Sequence, residues 1–281
     1  MKLLLVLALV PLVLPQYVYE EPLLYDTFPE DFLWGVATSA YQVKFFLNWI
    51  PSRYPLLWNL QIEGGYGEDG KSLSLWDTFC EKEGAIADGS DGKIACDSYH
   101  QYEEDARIIS EMGVDSYRFS LAWTRIMPTQ GVINPDGVQY YRNLIAALKA
   151  RNIEPMVTIY HWDLPQALED QGGWLNADVA LWFEEYARAC FQELGDEVRG
   201  KEDHIQAFHY LYTFYFQVKL WITINEPSVV TLNGYGNGVH APGQVGMGDK
   251  VYIVAHNLIR AHAKAYRVYD NEFRAAQGGK V

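Results

Sequence analysis

The sequence predicts an α/β fold built on a parallel sheet, and three observations carry that prediction. Short apolar, β-branched segments alternate four times with segments of helical spacing, the pattern of consecutive βαβ units. No glycine-rich phosphate loop follows the first apolar segment, which disfavours a nucleotide-binding doubly wound sheet. Polar residues stand where several of the apolar segments end, and that is where a (β/α) barrel places its chemistry.

The elements follow in order. Phe32 to Gln42 opens the fold as a short buried strand running into small and polar residues. Ser98 to Met112 has helical spacing, with Ser98 as the expected N-cap, acids at Glu103, Glu104 and Asp105, and Gly113 as the stop. Val114 to Phe119 is the second strand and delivers Arg118 and Ser120 near its end. An amphipathic helix runs from about Pro135 to Arg151, with Leu144, Ile145 and Leu148 on one face. Ile153 to Tyr160 is the third strand and leads into His161-Trp162-Asp163; Asn176 to Leu194 is the third helix, closed by Gly195. Val218 to Ile224 reads as a buried strand. Pro227 cannot donate to a ladder, so this strand should end with Asn225 and Glu226 at its tip. Lys250 to Asn271 is the fourth helix.

Composition narrows the class. The chain has 281 residues, 49% hydrophobic and 15% aromatic, enough to bury one large core or two smaller ones. Its formal charge is −14 and its Lys and Arg residues form no cluster, which argues against a nucleic-acid partner. Lys2 followed by a run of Leu, Val and Ala, within residues 1–16, reads as a secretory signal peptide, too short for a membrane span. The mature chain is therefore expected from residue 17 to 281, secreted and free of the membrane. Cys80, Cys96 and Cys190 leave one thiol over if two of them pair in an oxidising compartment, and the sequence names no pair. No metal-ligand spacing, nucleotide loop or Ser-His-Asp arrangement stands out, so neither a metal nor a cofactor is expected. Asp163, Glu169 and Asp170 read as loop charges.

Six blocks then carry a resemblance. They are FLWGVATSAYQ at 32–42, IEGGYGEDGKSLSLWDTF at 62–79, ACDSYHQYEED at 95–105, YRFSLAWTRIMP at 117–128, YHWDLPQAL at 160–168 and LWITINEP at 220–227. In this order they resemble glycoside hydrolase family 1, the β-glucosidase and myrosinase-like group. The resemblance implies the first four βα units of a (β/α)8 TIM barrel, stopping before the fifth strand, and a retaining β-glycosidase acting on terminal β-D-glucosides or related sugars. It implies Glu226 as the catalytic acid/base, Asn225 on the sugar's 2-hydroxyl, Gln42 and His161 on hydroxyls across the ring, and Trp162 lining the pocket. Arg118 would sit beneath the nucleophile and hold it ionised. The family's nucleophile belongs to a later Thr-Glu-Asn-Gly type motif, and no such motif occurs here. The polypeptide is therefore expected to be inactive by itself. The expected partner is a β-glycoside or oligosaccharide; a thioglucoside remains open. The alternative is a catalytically silent, klotho-like sugar- or protein-binding relative.

Two stretches depart from the family pattern, at 43–61 and at 198–217. Each begins with valine followed by a basic residue (Val43-Lys44, Val198-Arg199) and ends with glutamine (Gln61, Gln217). Valine codons begin with GT and one glutamine codon ends in AG, the two borders of an intron. Both stretches are expected to be short retained introns read in frame.

Overall fold

The computed structural model describes residues 28–29, 32–41, 63–86, 89, 91–195, 218–246 and 248–281. The expected signal peptide at 1–16, Gln42, and the stretches at 43–61 and 198–217 lie outside the described residues. The chain divides into two compact units, Met1–Phe32 and Leu33–Val281. In the first, the Phe32 N–H donates to Pro29 O at 3.0 Å and the rings of Phe28 and Phe32 lie 4.5 Å apart.

The second unit alternates strand and long helix: β1 Gly35–Ala37, α1 Ser98–Glu111, β2 Ser116–Ser120, α2 Pro135–Lys149, β3 Glu154–Tyr160, α3 Val179–Gly195, β4 Leu220–Ile224 and α4 Asp249–Val268. The four strands form one sheet in the order β1-β2-β3-β4, and every pair is parallel. Strand order thus follows chain order without reversal. A doubly wound sheet reverses at a switch point, whereas a barrel wall does not. The sheet is four units of such a wall. Lys280 adds an isolated parallel bridge to Leu220 on the free side of β4.

Local expectations need three corrections. β1 is not buried, because as the edge strand it packs against β2 alone and shows an exposed–half-buried–exposed pattern. β4 is not buried throughout: Trp221 and Thr223 are, while Leu220, Ile222 and Ile224 are half-buried. A strand near the sheet edge recovers the two-residue period. Finally, the N-cap of α1 is Asp97 in a left-handed conformation, not Ser98; the Ser98 hydroxyl donates instead to Asp105 Oδ2 at 2.5 Å. The three cysteines are all free thiols, with Cys96 exposed and Cys190 buried, so no disulfide forms among them.

The core is aromatic. Trp123 stacks on Tyr186 with centroids 4.4 Å apart and planes 7° from parallel, and such a pair adds about 0.5–1.5 kcal/mol beyond its area burial. A buried cation ties the segment 63–65 to this core. Arg125 is fully buried; its Nε donates to Glu63 Oε1 at 2.5 Å, its Nη2 donates to Gly64 O and Gly65 O, and its guanidinium lies 3.9 Å from the Tyr99 ring centroid. The Tyr141 hydroxyl donates to the other Glu63 oxygen. Gly65 has φ +60°, and a Cβ there would come within 2.9 Å of Arg125 Nη2; the close approach requires glycine.

At the opposite end of the sheet from the strand tips, the Val218 N–H donates to Leu194 O at 3.1 Å. The chain therefore leaves α3 and enters β4 at almost one point.

Candidate active site

Tips of β2, β3 and β4 bring the polar side chains together. Arg118 lies on β2, His161 and Trp162 follow β3 directly, and Asn225 and Glu226 follow β4. One backbone bond and one side-chain bond lock the last two tips: the Asn225 N–H donates to Tyr160 O at 2.9 Å, and the Trp162 indole Nε1 donates to Asn225 O at 3.0 Å. Trp162 and Glu226 both have positive φ, +76° and +44°. Non-glycine residues pay about 1–3 kcal/mol for such a backbone, and they persist where surrounding structure over-determines them, commonly at functional sites.

Asn225 organises the group through an accounting of donors and acceptors. Arg118 can only donate, and its Nη2 lies 2.5 Å from Asn225 Oδ1, so the amide oxygen faces Arg118. The amide nitrogen then faces His161 Nε2 at 3.1 Å and Glu226 Oε2 at 3.3 Å. Its two hydrogens meet two acceptors. His161 Nε2 accepts, so the imidazole proton is assigned to Nδ1. It is a buried donor left unsatisfied among the described residues. Burial first, and then the Arg118 charge, hold His161 down to about 3, which keeps the ring neutral over the working range. Arg118 is fixed from below by Thr158, with Nε to Oγ1 at 2.9 Å; burial pushes its guanidinium down and the Glu226 charge opposes that.

The structure thus gathers Arg118, His161, Trp162, Asn225 and Glu226, while Gln42 lies outside the described residues. Chemically the cluster offers an exposed carboxyl beside an amide whose two hydrogens are both engaged, next to a neutral imidazole. Among the described residues no group of three His, Cys, Asp or Glu could hold a metal ion, and no helix is long and apolar enough to cross a membrane.

Three neighbours escaped the sequence reading. His240, from the loop after β4, packs on Trp162 at 5.3 Å and on Trp76 at 5.8 Å, and burial holds it down to about 4. Asp163 and Glu169 are buried rather than solvated loop charges, whereas Asp170 is exposed. Glu169 accepts from Gln244 Nε2 at 2.7 Å and from the Tyr235 hydroxyl. No local pattern marks such partners, since they arrive from distant parts of the chain.

Known proteins resemble this chain over most of its length. The family model described as glycosyl hydrolase family 1 matches residues 58–205 and 200–281. Beta-glucosidase 12 of Arabidopsis thaliana is 43% identical over 270 residues, covering 90% of this chain and 46% of its own. Klotho of Rattus norvegicus is 39% identical over 278 residues, covering 92% of this chain and 24% of its own. The structure of a β-glucosidase from Thermotoga maritima in complex with glucoimidazole superposes with a TM-score of 0.72 at 41% identity, covering 90% of this chain and 48% of that one. The chain spans less than half the length of each of these relatives.

Proposed function

The chain belongs to glycosyl hydrolase family 1, and from that premise we propose that it supplies the acid/base side of a secreted retaining β-glycosidase for terminal β-D-glucosides or related sugars. One observation carries the reading: Asn225 bonds Arg118 through its amide oxygen and His161 and Glu226 through its two amide hydrogens, which gathers all three around one amide and leaves the oxygen's second lone pair for a ligand. In this reading Glu226 protonates the leaving oxygen and later takes a proton from water. His161 binds a ring hydroxyl, Trp162 walls the pocket, and Gln42 adds a second hydroxyl contact. Asn225 meets the 2-hydroxyl, a contact that strengthens in an oxocarbenium-like transition state. Retention needs a second carboxylate about 5–5.5 Å from the first. We assign that nucleophile, which Arg118 would hold ionised, to the part of the family fold that this chain does not match. The polypeptide alone is then a binding half without turnover.

A second reading, a catalytically silent sugar- or protein-binding relative, draws on the likeness to klotho. The presence of Arg118, His161, Asn225 and Glu226 in one bonded group weighs against it.

The test is calorimetric titration of the full chain with glucoimidazole, beside an assay on a nitrophenyl β-glucoside. Binding without turnover is expected, with binding lost in Asn225→Ala. Turnover that survives Glu226→Gln would overturn the assignment.

A further inference from the structure

Behind the β3 tip lies a small cavity, lined in part by charged side chains, that the sugar reading leaves unused. Its walls include Glu63, Tyr66, Lys71, Asp77, Thr124 and Asp163. Two of its carboxylates have cations: Glu63 is held by Arg125 at 2.5 Å and Asp77 by Lys71 at 3.2 Å. Asp77 also accepts from Ser74 N and Oγ, both at 2.8 Å. Asp163 has no cation partner among the described residues. Its Oδ2 accepts the Trp123 N–H at 3.2 Å, and its Oδ1 has no partner among the described residues. Thr124 Oγ1 has none either, although Asp163 is 2% exposed and Thr124 0%. Two lining residues of one cavity thus each carry a buried, unpartnered polar atom, one of them a hydroxyl, and a buried water takes two to four such partners. The free space admits about one water molecule.

We propose that this cavity is a built site for a single ordered water shared by Asp163 and Thr124. Asp163 is then a positioning residue. It follows Trp162, whose backbone is left-handed, and its bond to Trp123 anchors the turn that carries His161 and Trp162. The turn is pinned again just beyond, where the Leu75 N–H donates to Leu164 O at 2.9 Å.

The surrounding charges agree with an uncharged acid. Glu63 and Lys71 face Asp163 with opposite signs, and burial together with Glu63 pushes its carboxyl up to about 7. Tyr160, Tyr186 and Cys190 also feel it, and burial keeps all three protonated. A carboxyl raised in the folded state holds its proton between its ordinary value near 3.8 and about 7. Its contribution to stability is complete below that window and is lost as pH rises through it.

The experiment compares thermal unfolding of the full chain with Asp163→Asn and Thr124→Val between pH 4 and 8, and locates ordered solvent in a crystal structure. Wild type is expected to lose stability relative to Asp163→Asn as pH rises, because the amide does not titrate. Thr124→Val is expected to shift the pH at which that loss is half complete, while Asp163 is retained, and the crystal is expected to show one solvent peak bonded to both residues. A gap between wild type and Asp163→Asn that is constant with pH would overturn the proposal. So would a dry cavity, or an unfolding temperature that rises specifically with sodium or potassium, which would make the occupant a cation. Should Asp163→Asn fail to fold, Thr124→Val and the crystal decide. No sugar enters these measurements, so they stand apart from the glycosidase reading.

Discussion

Arg118 and Asn225 lie on β2 and just past β4, with β3 between them, yet Arg118 Nη2 reaches Asn225 Oδ1 at 2.5 Å. The bond spans the width of three strands and decides which way the amide points. Asn225→Asp would keep an acceptor for Arg118, remove both donors and add a charge beside Glu226. It is expected to weaken glucoimidazole binding roughly ten- to hundredfold, the value of one or two hydrogen bonds to charged or buried groups, with circular dichroism unchanged. Calorimetry checks the first part and unchanged folding the second.

His161 sets an acid limit. Its ordinary value is 6.5 and its folded value about 3, so the unfolded chain takes up a proton first as pH falls. The stability it contributes is full above pH 6.5 and is lost as pH falls toward 3. Over the whole window this amounts to roughly 4–5 kcal/mol. His161→Gln, which does not titrate there, is expected to flatten the acid side of the unfolding free energy measured in urea at pH 4, 5, 6 and 7.

The Glu63–Arg125 pair predicts a large, local loss. Both side chains are almost fully buried, and removing one partner strands the other. Glu63→Ala is expected to cost about 3–5 kcal/mol, read from urea unfolding, whereas exchanging the exposed pair Arg107–Glu111 should change stability by less than about 1 kcal/mol. Equal effects at the two sites would refute the distinction.

The 3.1 Å bond between Val218 N and Leu194 O predicts that the stretch 198–217 is dispensable. Its removal leaves Asp196 and Glu197 between Gly195 and Val218, a short connection for ends already in contact, and shortening a loop lowers its closure entropy. A deletion variant is expected to unfold at the same or a higher temperature. Spliced messenger RNA is expected to lack both 43–61 and 198–217; an abundant transcript that contains both would sink the retained-intron reading.

Much of this architecture is legible in the sequence, for physical reasons that also mark the limit. β3 and β4 are apolar runs that stop at polar residues, so His161, Asn225 and Glu226 announce their place at strand tips. The long helices α2 and α4 show a clear 3.6-residue period and begin at Pro135 and Asp249, within a residue of expectation. Burial of Asp163 and Glu169 is different. A carboxylate in a loop reads as solvated until Trp123, Tyr235 and Gln244 arrive with donors from 40 to 75 positions away. The same holds for His240, whose place against Trp162 depends on a loop that has no periodicity of its own. The Ser98 N-cap failed for a local reason: Asp97 takes a left-handed backbone and starts the helix one residue earlier.

The bridge between Leu220 and Lys280 bears on how this polypeptide could be engineered. The Lys280 N–H donates to Lys219 O at 2.7 Å and its carbonyl accepts the Trp221 N–H at 2.9 Å, which sets the alignment of any strand continuing along β4. A slip of one residue would turn every following side chain to the opposite face. A fragment that keeps Lys280 retains that alignment cue beside β4 for a strand supplied in trans. A fragment cut before Gly278 would have to find the register of such a strand anew.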